Sequence, residues 1–220
     1  MKVSVVIPTY NEEDYLPVLL ESIGSQYVKP DEVIVVDSGS TDKTVEIAKQ
    51  YGCKVFNGIR NVNYNRDLGI RNAEGDIVIN TDADCILPEH YVAYAKNIMR
   101  DNVSMATGCV YPIEKMPLYY VWRASQNFMK WVQSIVAGWV TPYGCNFVVN
   151  KEKYIRAGGF YNLGNPFKEE VDLARRLKSV GDEIFSIHLY VFTSSRKFII
   201  TEKGIVSESR MWYQEKAEGW

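Results

Sequence analysis

Two aspartates separated by one alanine, Asp82 and Asp84, have the spacing that points most clearly to chemistry. They follow a short apolar run at residues 77–79, which predicts a buried strand with both carboxylates at its carboxyl end. Side chains two apart in an extended segment point the same way, and neighbouring carboxylates repel unless a cation lies between them. Carboxylate oxygens suit Mg²⁺ or Mn²⁺, so we expect Asp84, with Asp82, to hold one of these ions. A solvated turn or a helix cap is the alternative interpretation.

The elements that precede this pair alternate between strands and helices. Strands are predicted at residues 3–7, 32–36, 54–56 and 77–79, and helices from the N-cap Asn11, around residues 45–51 and over residues 61–74. Such repeats predict an α/β fold with a mostly parallel, doubly wound sheet flanked by helices. Ligands of these sheets bind beyond the carboxyl ends of the strands. The strand ends at residues 8–10, 37–39 and 81–84 should therefore meet at one crevice.

The second half of the chain is less regular. Strands are predicted at residues 104–111, 145–149 and 183–192, and helices at residues 88–99, 117–140, 151–156 and 169–180, with a tight turn at residues 158–159. The helix over residues 117–140 is rich in aromatic residues, among them Tyr119, Trp122, Phe128 and Trp131. We expect these rings to pack in the core with partial contact to an acceptor. A membrane interface and stacking on sugar rings are the alternatives.

The composition is that of an ordinary globular domain, with 46% hydrophobic and 24% charged residues. A formal net charge of −2 argues against a nucleic-acid partner, because such domains are usually strongly basic. Four cysteines without zinc-type spacing favour free thiols in a reducing compartment. The sequence has no signal-peptide pattern and no apolar run of about 20 residues, which predicts a cytoplasmic protein. Peripheral contact with the inner face of the membrane and the oligomeric state are left open.

Several short segments, taken in order, resemble the sequence blocks of glycosyltransferase family 2. They read VVIPTYNE at residues 5–12, VVDSGSTD at 35–42, NRDLGI at 65–70, AEGD at 73–76, DAD at 82–84, GGF at 158–160 and EEVDLARRL at 169–177. The resemblance covers roughly residues 3–177, and the spacing between blocks is preserved. The third block departs from the family at Asp67, where asparagine is more usual.

This resemblance implies a GT-A fold, in which a Rossmann-like sheet binds a nucleotide sugar and a second half binds the acceptor. We expect one domain over residues 1–220, divided into a donor half at residues 1–100 and an acceptor half and tail at residues 101–220. The implied reaction moves a sugar, expected to be a hexose, from a UDP- or GDP-sugar to a glycan, a lipid-linked acceptor or a protein. It proceeds by single displacement, with inversion at the anomeric carbon and Mn²⁺ or Mg²⁺ as cofactor.

Carried over by position, the resemblance implies a donor site at the strand ends and in the third block. Its residues are Pro8, Thr9, Tyr10, Glu12, Asp37, Ser38, Arg66, Asp82 and Ala83. Asp84 is the implied principal metal ligand, and Asp82 contacts the ribose or the metal. His188 is a further candidate ligand, because some relatives use a late histidine, although a lone histidine in a strand also suits a structural role. Residues 194–197 offer hydroxyls and cations that could hold the diphosphate or form a solvated turn.

The acceptor hydroxyl must lose a proton as it attacks, which requires a carboxylate base within hydrogen-bond reach. Glu170 occupies the position at which the family block carries its catalytic aspartate, so it is our first choice of base. Asp172 and Glu169 are the alternatives, and all three acids could instead simply favour a helix N-terminus. A glutamate reaches one methylene further than an aspartate, which would place the acceptor slightly further back.

Two rival functions remain at the level of sequence. A nucleotidyltransferase that makes sugar nucleotides shares a related α/β core, but it needs a glycine-rich, basic phosphate loop after the first strand. Residues 8–12 contain neither glycine nor lysine. A catalytically silent sugar-nucleotide or glycan-binding protein would bind the donor without turnover.

Overall fold

The computed structural model describes residues 1–114, 116–161, 165–196, 198–201 and 204–207. Its strands are β1 Val3–Thr9, β2 Glu32–Asp37, β3 Lys54–Asn57, β4 Ile77–Asn80, β5 Cys85–Ile86, β6 Val103–Pro112, β7 Phe147–Asn150, β8 Asp182–Thr193, β9 Phe198–Thr201 and β10 Gly204–Ser207. Its helices are α1 Leu16–Gly24, α2 Thr44–Gln50, α3 Val62–Asn72, α4 Tyr91–Ile98, α5 Pro117–Val136, α6 Lys151–Arg156 and α7 Pro166–Lys178.

Within these ranges, eight strands form one sheet in the order β3-β2-β1-β4-β7-β6-β8-β5, and β9 pairs with β10 separately. β3, β2, β1 and β4 run parallel, as the strand–helix repeats predict. β7 is antiparallel to both β4 and β6, β8 is parallel to β6, and β5 is antiparallel to β8. Four of these seven pairings are parallel, so the predicted α/β fold with a mostly parallel sheet is confirmed.

Both faces of β1, β4 and most of β2 are buried, which explains why their sequences are continuous apolar runs. On β1, Val5 and Ile7 face the core that includes Leu19 of α1, whereas Val6 faces the core that includes Ile70 of α3. All five side chains are fully buried. Each such aliphatic side chain stabilises the fold by about 1.5–3 kcal/mol. The strands whose carboxyl ends carry the polar residues are therefore firmly anchored.

The first helix begins later than its sequence predicts. Asn11 was expected to cap it, but α1 begins at Leu16, and Asn11 has a left-handed backbone with φ of 50°. Its Oδ1 accepts a hydrogen bond from the backbone N–H of Thr41, 2.9 Å away, and its own N–H donates to Ser40 Oγ. Asn11 thus joins the loop after β1 to the loop after β2 instead of starting a helix, a role that asparagine can take because it tolerates this conformation.

The long helix α5 is amphipathic in the opposite sense to the one expected. Its buried residues are Tyr119, Arg123 and Asn127, whereas Phe128 and Trp131 are 60% and 44% exposed. Core packing of the aromatic stretch is therefore wrong for these two rings and right for Tyr119. A helical stripe predicts amphipathicity, but it does not say which face meets the protein. Among the described residues, no helix combines the length and hydropathy that crossing a bilayer requires.

Candidate functional site

The loops after β1 and β2 meet as the sequence predicts, and Asp37 is the centre of their hydrogen bonds. Its Oδ1 accepts from Thr9 Oγ1 at 2.9 Å and from Ser40 Oγ at 2.5 Å. Its Oδ2 accepts from the backbone N–H groups of Gly39 and Ser40 at 3.0 and 2.8 Å. Gly39 has a φ of 82°, which a residue with a side chain rarely adopts. Asp37 is 4% exposed, so its geometry is set before any ligand arrives.

Helix α3 connects this loop to the aspartate pair. Asn61 caps the helix by accepting from the N–H of Tyr64. One turn further on, Asn65 Nδ2 donates to Ser38 Oγ at 2.7 Å. The next residue, Arg66, donates from Nη2 to Asp82 Oδ1 at 2.9 Å. The three predicted strand ends therefore converge on one crevice.

Arg66 is the residue that joins the two sides of the crevice. It is 4% exposed, donates from Nη1 to Asn63 Oδ1 at 2.8 Å, and lies 3.7 Å from Oε1 of Glu170 on α7. Burial opposes its charge, but Asp82 and Glu170 outweigh burial, so the pKa of Arg66 is raised. A Cβ on Gly144 would lie 2.5 Å from Nη2, so this glycine makes room for the guanidinium. The sequence did not single out Gly144 or Asn63.

Buried polar atoms without a partner mark the end of β4. Within the described part of the chain, both amide atoms of Asn80, Thr81 Oγ1 and Arg66 Nε have no hydrogen-bond partner. Asn80 and Thr81 are 0% and 1% exposed. Each unsatisfied buried group costs about 1–3 kcal/mol, so such a concentration beside Asp82 is typical of a site that is completed by a ligand.

Asp84 lies next to a cation that belongs to the chain itself. Its side chain is 3% exposed, and its Oδ2 is 3.5 Å from Nε of Arg196, which follows β8. The same guanidinium forms an ion pair with Glu12 and lies over the ring of Tyr15, with Cζ 3.8 Å from the centroid. The predicted metal position is therefore a place where this fold already holds positive charge. Lys197, the other cation of the predicted diphosphate segment, lies outside the described residues.

The residues fit a divalent metal only if the ligand supplies part of the coordination. No group of three or more histidine, cysteine or acidic side chains is poised to bind a metal in the described ranges. Asp84 faces a cation, and Asp82 uses Oδ1 for Arg66 and keeps Oδ2 for another partner. Mg²⁺ is commonly held by one or two carboxylates together with substrate phosphates, and this donor set matches that pattern.

The three acids of α7 occupy different environments. Asn165 caps the helix by accepting from the N–H of Lys168 at 3.1 Å. Glu169 is buried and accepts from Asn63 Nδ2 at 2.8 Å. Asp172 lies on the outer surface, with its side chain 38% exposed and its Oδ2 2.7 Å from Arg176. Glu170 forms an ion pair with Arg66 in the crevice, at 3.7 Å.

Glu170 has the protonation behaviour that a base requires near neutral pH. Burial raises the pKa of its carboxyl to about 7, although the charges of Arg66 and Lys130 lower it. Lys130 reaches this region from α5, where it donates to the carbonyl of Thr141 at 2.5 Å and lies over the ring of Tyr143. Burial lowers the pKa of Lys130 to about 8. No sequence motif assigns Lys130 to the site.

His188 lies elsewhere. It stands on β8 five residues before Thr193, whose register partner is Cys85. At about 3.3 Å per residue, this separates it from the aspartate pair by roughly 16 Å along the strand. It is exposed, and its ring is tilted against that of Tyr94 at a centroid distance of 5.8 Å. This position does not support His188 as a metal ligand.

The other predicted donor residues lie around the same loops. Pro8 and Thr9 end β1 opposite Val36 and Asp37 of β2. The ring of Tyr10 lies under the guanidinium of Arg60, with Cζ 3.4 Å from the centroid. Ala83, between the two aspartates, is 2% exposed, which leaves no space for a larger side chain without rearrangement. The predicted donor residues therefore lie around the same loops. His188, which was predicted only as a metal ligand, lies elsewhere.

The sheet, its loops and the crevice define a fold that solved GT-A glycosyltransferases share. The mannosyltransferase PcManGT of Pyrobaculum calidifontis, in complex with GDP-Man and Mn²⁺, superposes with a TM-score of 0.71 at 23% identity, covering 97% of this chain and 60% of that one. Residues 1–349 of Staphylococcus aureus TarS with UDP-GlcNAc give a TM-score of 0.67 at 21% identity, covering 89% and 59%. These likenesses establish the fold.

The chain belongs to glycosyltransferase family 2, because the sequence model described as glycosyl transferase family 2 matches residues 4–160. The undecaprenyl-phosphate 4-deoxy-4-formamido-L-arabinose transferase of Serratia proteamaculans is 30% identical over 167 residues, which are 71% of this chain and 51% of that protein. The chain thus spans about half the length of that curated relative.

Proposed function

We propose that this chain transfers a sugar from a UDP- or GDP-sugar to an acceptor hydroxyl or lipid phosphate, with inversion at the anomeric carbon. The observation that carries the proposal is the contact of one buried guanidinium, Arg66, with Asp82 at 2.9 Å and with Glu170 at 3.7 Å. A carboxylate of the metal pair and a carboxylate poised to accept a proton thus share one crevice. The donor half is residues 1–100 and the acceptor half residues 101–220, in one domain.

The donor is inferred from the loops and from the ligands of similar proteins. PcManGT was solved with GDP-Man and Mn²⁺, and TarS with UDP-GlcNAc. In this chain, Asp37 is fixed by Thr9 and by two backbone N–H groups, which suits a carboxylate that orients a base or ribose. Asp82 and Asp84 would hold Mn²⁺ or Mg²⁺ on the diphosphate, where the ion would offset the charge that grows on the leaving group.

The reaction is a single displacement in which Glu170 acts on the acceptor. As the acceptor oxygen bonds to the anomeric carbon, its proton passes to a carboxylate oxygen of Glu170. The bond from the anomeric carbon to the diphosphate oxygen breaks, and the nucleoside diphosphate leaves with that electron pair. Arg66 keeps enough of Glu170 ionised for this step, because its charge lowers a pKa that burial raises. A lipid-phosphate acceptor is already ionised, so it has no proton to give to a base. It would depend instead on the positive charges near Glu170, those of Arg66 and Lys130.

Helix α5 supports a lipid-linked acceptor at a membrane surface. Its outer face is apolar, with six large side chains between 59% and 81% exposed: Leu118, Val121, Phe128, Met129, Ile135 and Val136. Residues 117–140 contain no acidic residue, so nothing on this segment repels an anionic bilayer. The opposite face carries Lys130, whose charge acts on Glu170. A bilayer under α5, on the cytoplasmic side, would bring a lipid-linked acceptor to the catalytic carboxylate. The named relative's acceptor is undecaprenyl phosphate.

Vesicle sedimentation tests this placement. The parent should sediment with phosphatidylglycerol vesicles, and a Val121→Asp, Phe128→Asp double variant should remain in the supernatant. Ile187→Asp is the matched control, because Ile187 is 60% exposed on β8 and lies on a different surface element. Equal sedimentation of parent and double variant would contradict the membrane surface. If the parent and Ile187→Asp formed a concentration-dependent dimer and the double variant did not, this face would be assigned to contact with a second copy of the chain instead.

A product assay tests the function. Purified protein is incubated with Mn²⁺, a panel of UDP- and GDP-sugars, and a lipid phosphate or a glycan. It should release nucleoside diphosphate and form the glycosylated acceptor. Asp84→Asn should abolish this release. Pyrophosphate exchange would favour the nucleotidyltransferase instead, and a donor-dependent rise in melting temperature without product would favour a silent binding protein.

A further inference from the structure

Arg196 occupies one of the contacts that a metal on this site would need, the one with Asp84. Its guanidinium pairs with Glu12 and lies 3.5 Å from Asp84 Oδ2. The side chains of Glu12 and Asp84 are only 8% and 3% exposed, whereas that of Arg196 is 28% exposed. Two nearly buried carboxylates close to one cation are far more stable than the same pair without it.

The backbone beside Arg196 is tied to the site. The N–H of Ser194 donates to the carbonyl of Asp84 at 3.0 Å, and Ser194 Oγ donates to Glu114 at 2.6 Å. The N–H of Ser195 donates to the other oxygen of Glu114 at 2.7 Å. The arginine therefore extends from a fixed anchor, and its partly exposed guanidinium can exchange partners without moving the strand.

Burial opposes the charge on Arg196, but Glu12 and then Asp84 outweigh burial, so its pKa is raised. The guanidinium is thus always charged at the pH of any cell, and it lies over the face of Tyr15. A guanidinium in this position suits phosphate oxygens, which it can bind with two parallel hydrogen bonds.

We propose that Arg196 is a resident counter-ion that competes with the divalent metal for Asp84 and, once displaced, pairs with the diphosphate of the donor. The pairing of Arg196 with the diphosphate rests on the proposed function, because that function identifies the donor. The competition with the metal for Asp84 does not depend on it. In the donor-free protein, Arg196 neutralises Glu12 and Asp84. With a metal–diphosphate complex bound, Asp84 would hold the metal and the Arg196 guanidinium would pair with the phosphate oxygens. The metal thus binds well only together with the nucleotide.

Manganese binding to the nucleotide-free protein tests the competition, with free Mn²⁺ measured by electron paramagnetic resonance. Arg196→Ala should bind Mn²⁺ about tenfold more tightly than the parent, since a charge-assisted contact no longer has to be broken. Arg156→Ala, which removes an exposed charge from α6, should leave Mn²⁺ affinity unchanged. Equal or weaker Mn²⁺ binding by Arg196→Ala would overturn the proposal, as would binding that survives Asp84→Asn.

Nucleotide affinity tests the second half of the exchange. With saturating Mn²⁺, calorimetry with UDP and GDP should give about tenfold weaker binding of the better nucleotide to Arg196→Ala, and Arg196→Lys should recover part of it. Unchanged nucleotide affinity would overturn the role of Arg196 at the diphosphate. If Mn²⁺ affinity rises as expected but no variant or parent transfers sugar, the counter-ion stands and the proposed transfer fails.

Discussion

The two sides of the crevice are built in different ways. The donor side consists of two loops joined by hydrogen bonds at Asn11, Asp37 and Ser40, with partners about 30 positions apart or closer. The acceptor side is held by charges brought from distant segments, with Glu170 of α7 near Arg66 of α3 and Lys130 of α5. The donor side is therefore fixed in shape, and the acceptor side is sensitive to charge and pH.

This difference agrees with what each side has to do. A nucleotide is recognised by geometry, so hydrogen bonds that are already formed without the ligand are an advantage. A proton acceptor must change its charge during the reaction, which requires a pKa near the working pH. Arg66 contacts both sides directly: Asp82 on the donor side and Glu170 on the acceptor side. Substitutions at or near Arg66 should therefore break the division between the two sides.

On the acceptor side, the largest effect should come from Glu170→Gln. It removes the proton acceptor and keeps the shape, so the transfer rate to a hydroxyl acceptor should fall about 10²- to 10⁴-fold while donor affinity changes little. Asp172→Asn is the matched control, because Asp172 pairs with Arg176 on the outer surface, and its rate should stay within about twofold. Steady-state kinetics of both variants measures these rates. A large fall for Asp172→Asn with little change for Glu170→Gln would contradict Glu170 as the base.

Gly144→Ala should disturb both sides through one added methyl group. The new Cβ would displace the Arg66 guanidinium, which would weaken its contacts with Asp82 and Glu170. The transfer rate should fall about tenfold, the size expected for losing one charge-assisted contact. The pH midpoint of activity should also rise, since Arg66 no longer lowers the pKa of Glu170.

Gly24→Ala is the matched control for that substitution, because nothing lies within 4 Å of a Cβ placed there. A lower rate for Gly144→Ala with an unchanged pH midpoint would mean that Arg66 does not set the protonation of Glu170.

The pH profile should give a tenfold effect that belongs to the acceptor side alone. Burial raises the pKa of Glu170 to about 7, and only the carboxylate can accept a proton. Activity should therefore rise with pH through about 7 and be roughly tenfold lower at pH 6 than at pH 8. Donor affinity measured over the same range should change much less. A profile already flat between pH 5 and 8 would contradict this assignment.

The smallest effect should come from Glu183→Gln, which separates a structural buried acid from the catalytic one. Glu183 accepts from the N–H of Val140 at 2.8 Å, and burial raises its pKa to about 7 from 4.5. The folded protein thus takes up a proton that the unfolded chain releases, so stability falls as pH rises from about 4.5 to 7. The variant should lose less stability between pH 5 and 8, by about 2–4 °C in melting temperature, with transfer unchanged. An equal fall in both proteins would contradict the buried carboxylate.

Much of the fold and of the donor side could be predicted from the sequence. Continuous apolar runs identify β1, β2 and β4, because strands buried on both faces leave no polar alternation. The polar residues that end these strands, Thr9, Asp37 and Asp82, meet because parallel strands present their carboxyl ends at one edge. The start of α1 was missed, since a left-handed Asn11 is set by its bonds to the next loop and not by its neighbours.

The acceptor side could be predicted only through resemblance, which selected Glu170. Its contacts come from far along the chain: Asn63 and Glu169 are 106 positions apart, and Gly144 meets Arg66 from the segment after α5. No local pattern encodes such contacts. The amphipathic pattern of α5 could be predicted from the sequence. Whether its polar or its apolar face would pack against the protein could not. The local pattern of acids on α7 does not separate them, whereas in the structure Asn63, Arg66 and Arg176 engage one each.

The anomeric configuration of the product tests most directly whether the crevice performs a single displacement. NMR of the sugar transferred from an α-linked nucleotide sugar reads the configuration from the H1–H2 coupling for a gluco- or galacto-configured sugar, and from the one-bond C1–H1 coupling for mannose. With Glu170 as the only base on the acceptor side, the product should be the β-anomer. An α-linked product, formed with retention, would require a different path and would contradict the roles assigned to Glu170 and Arg66.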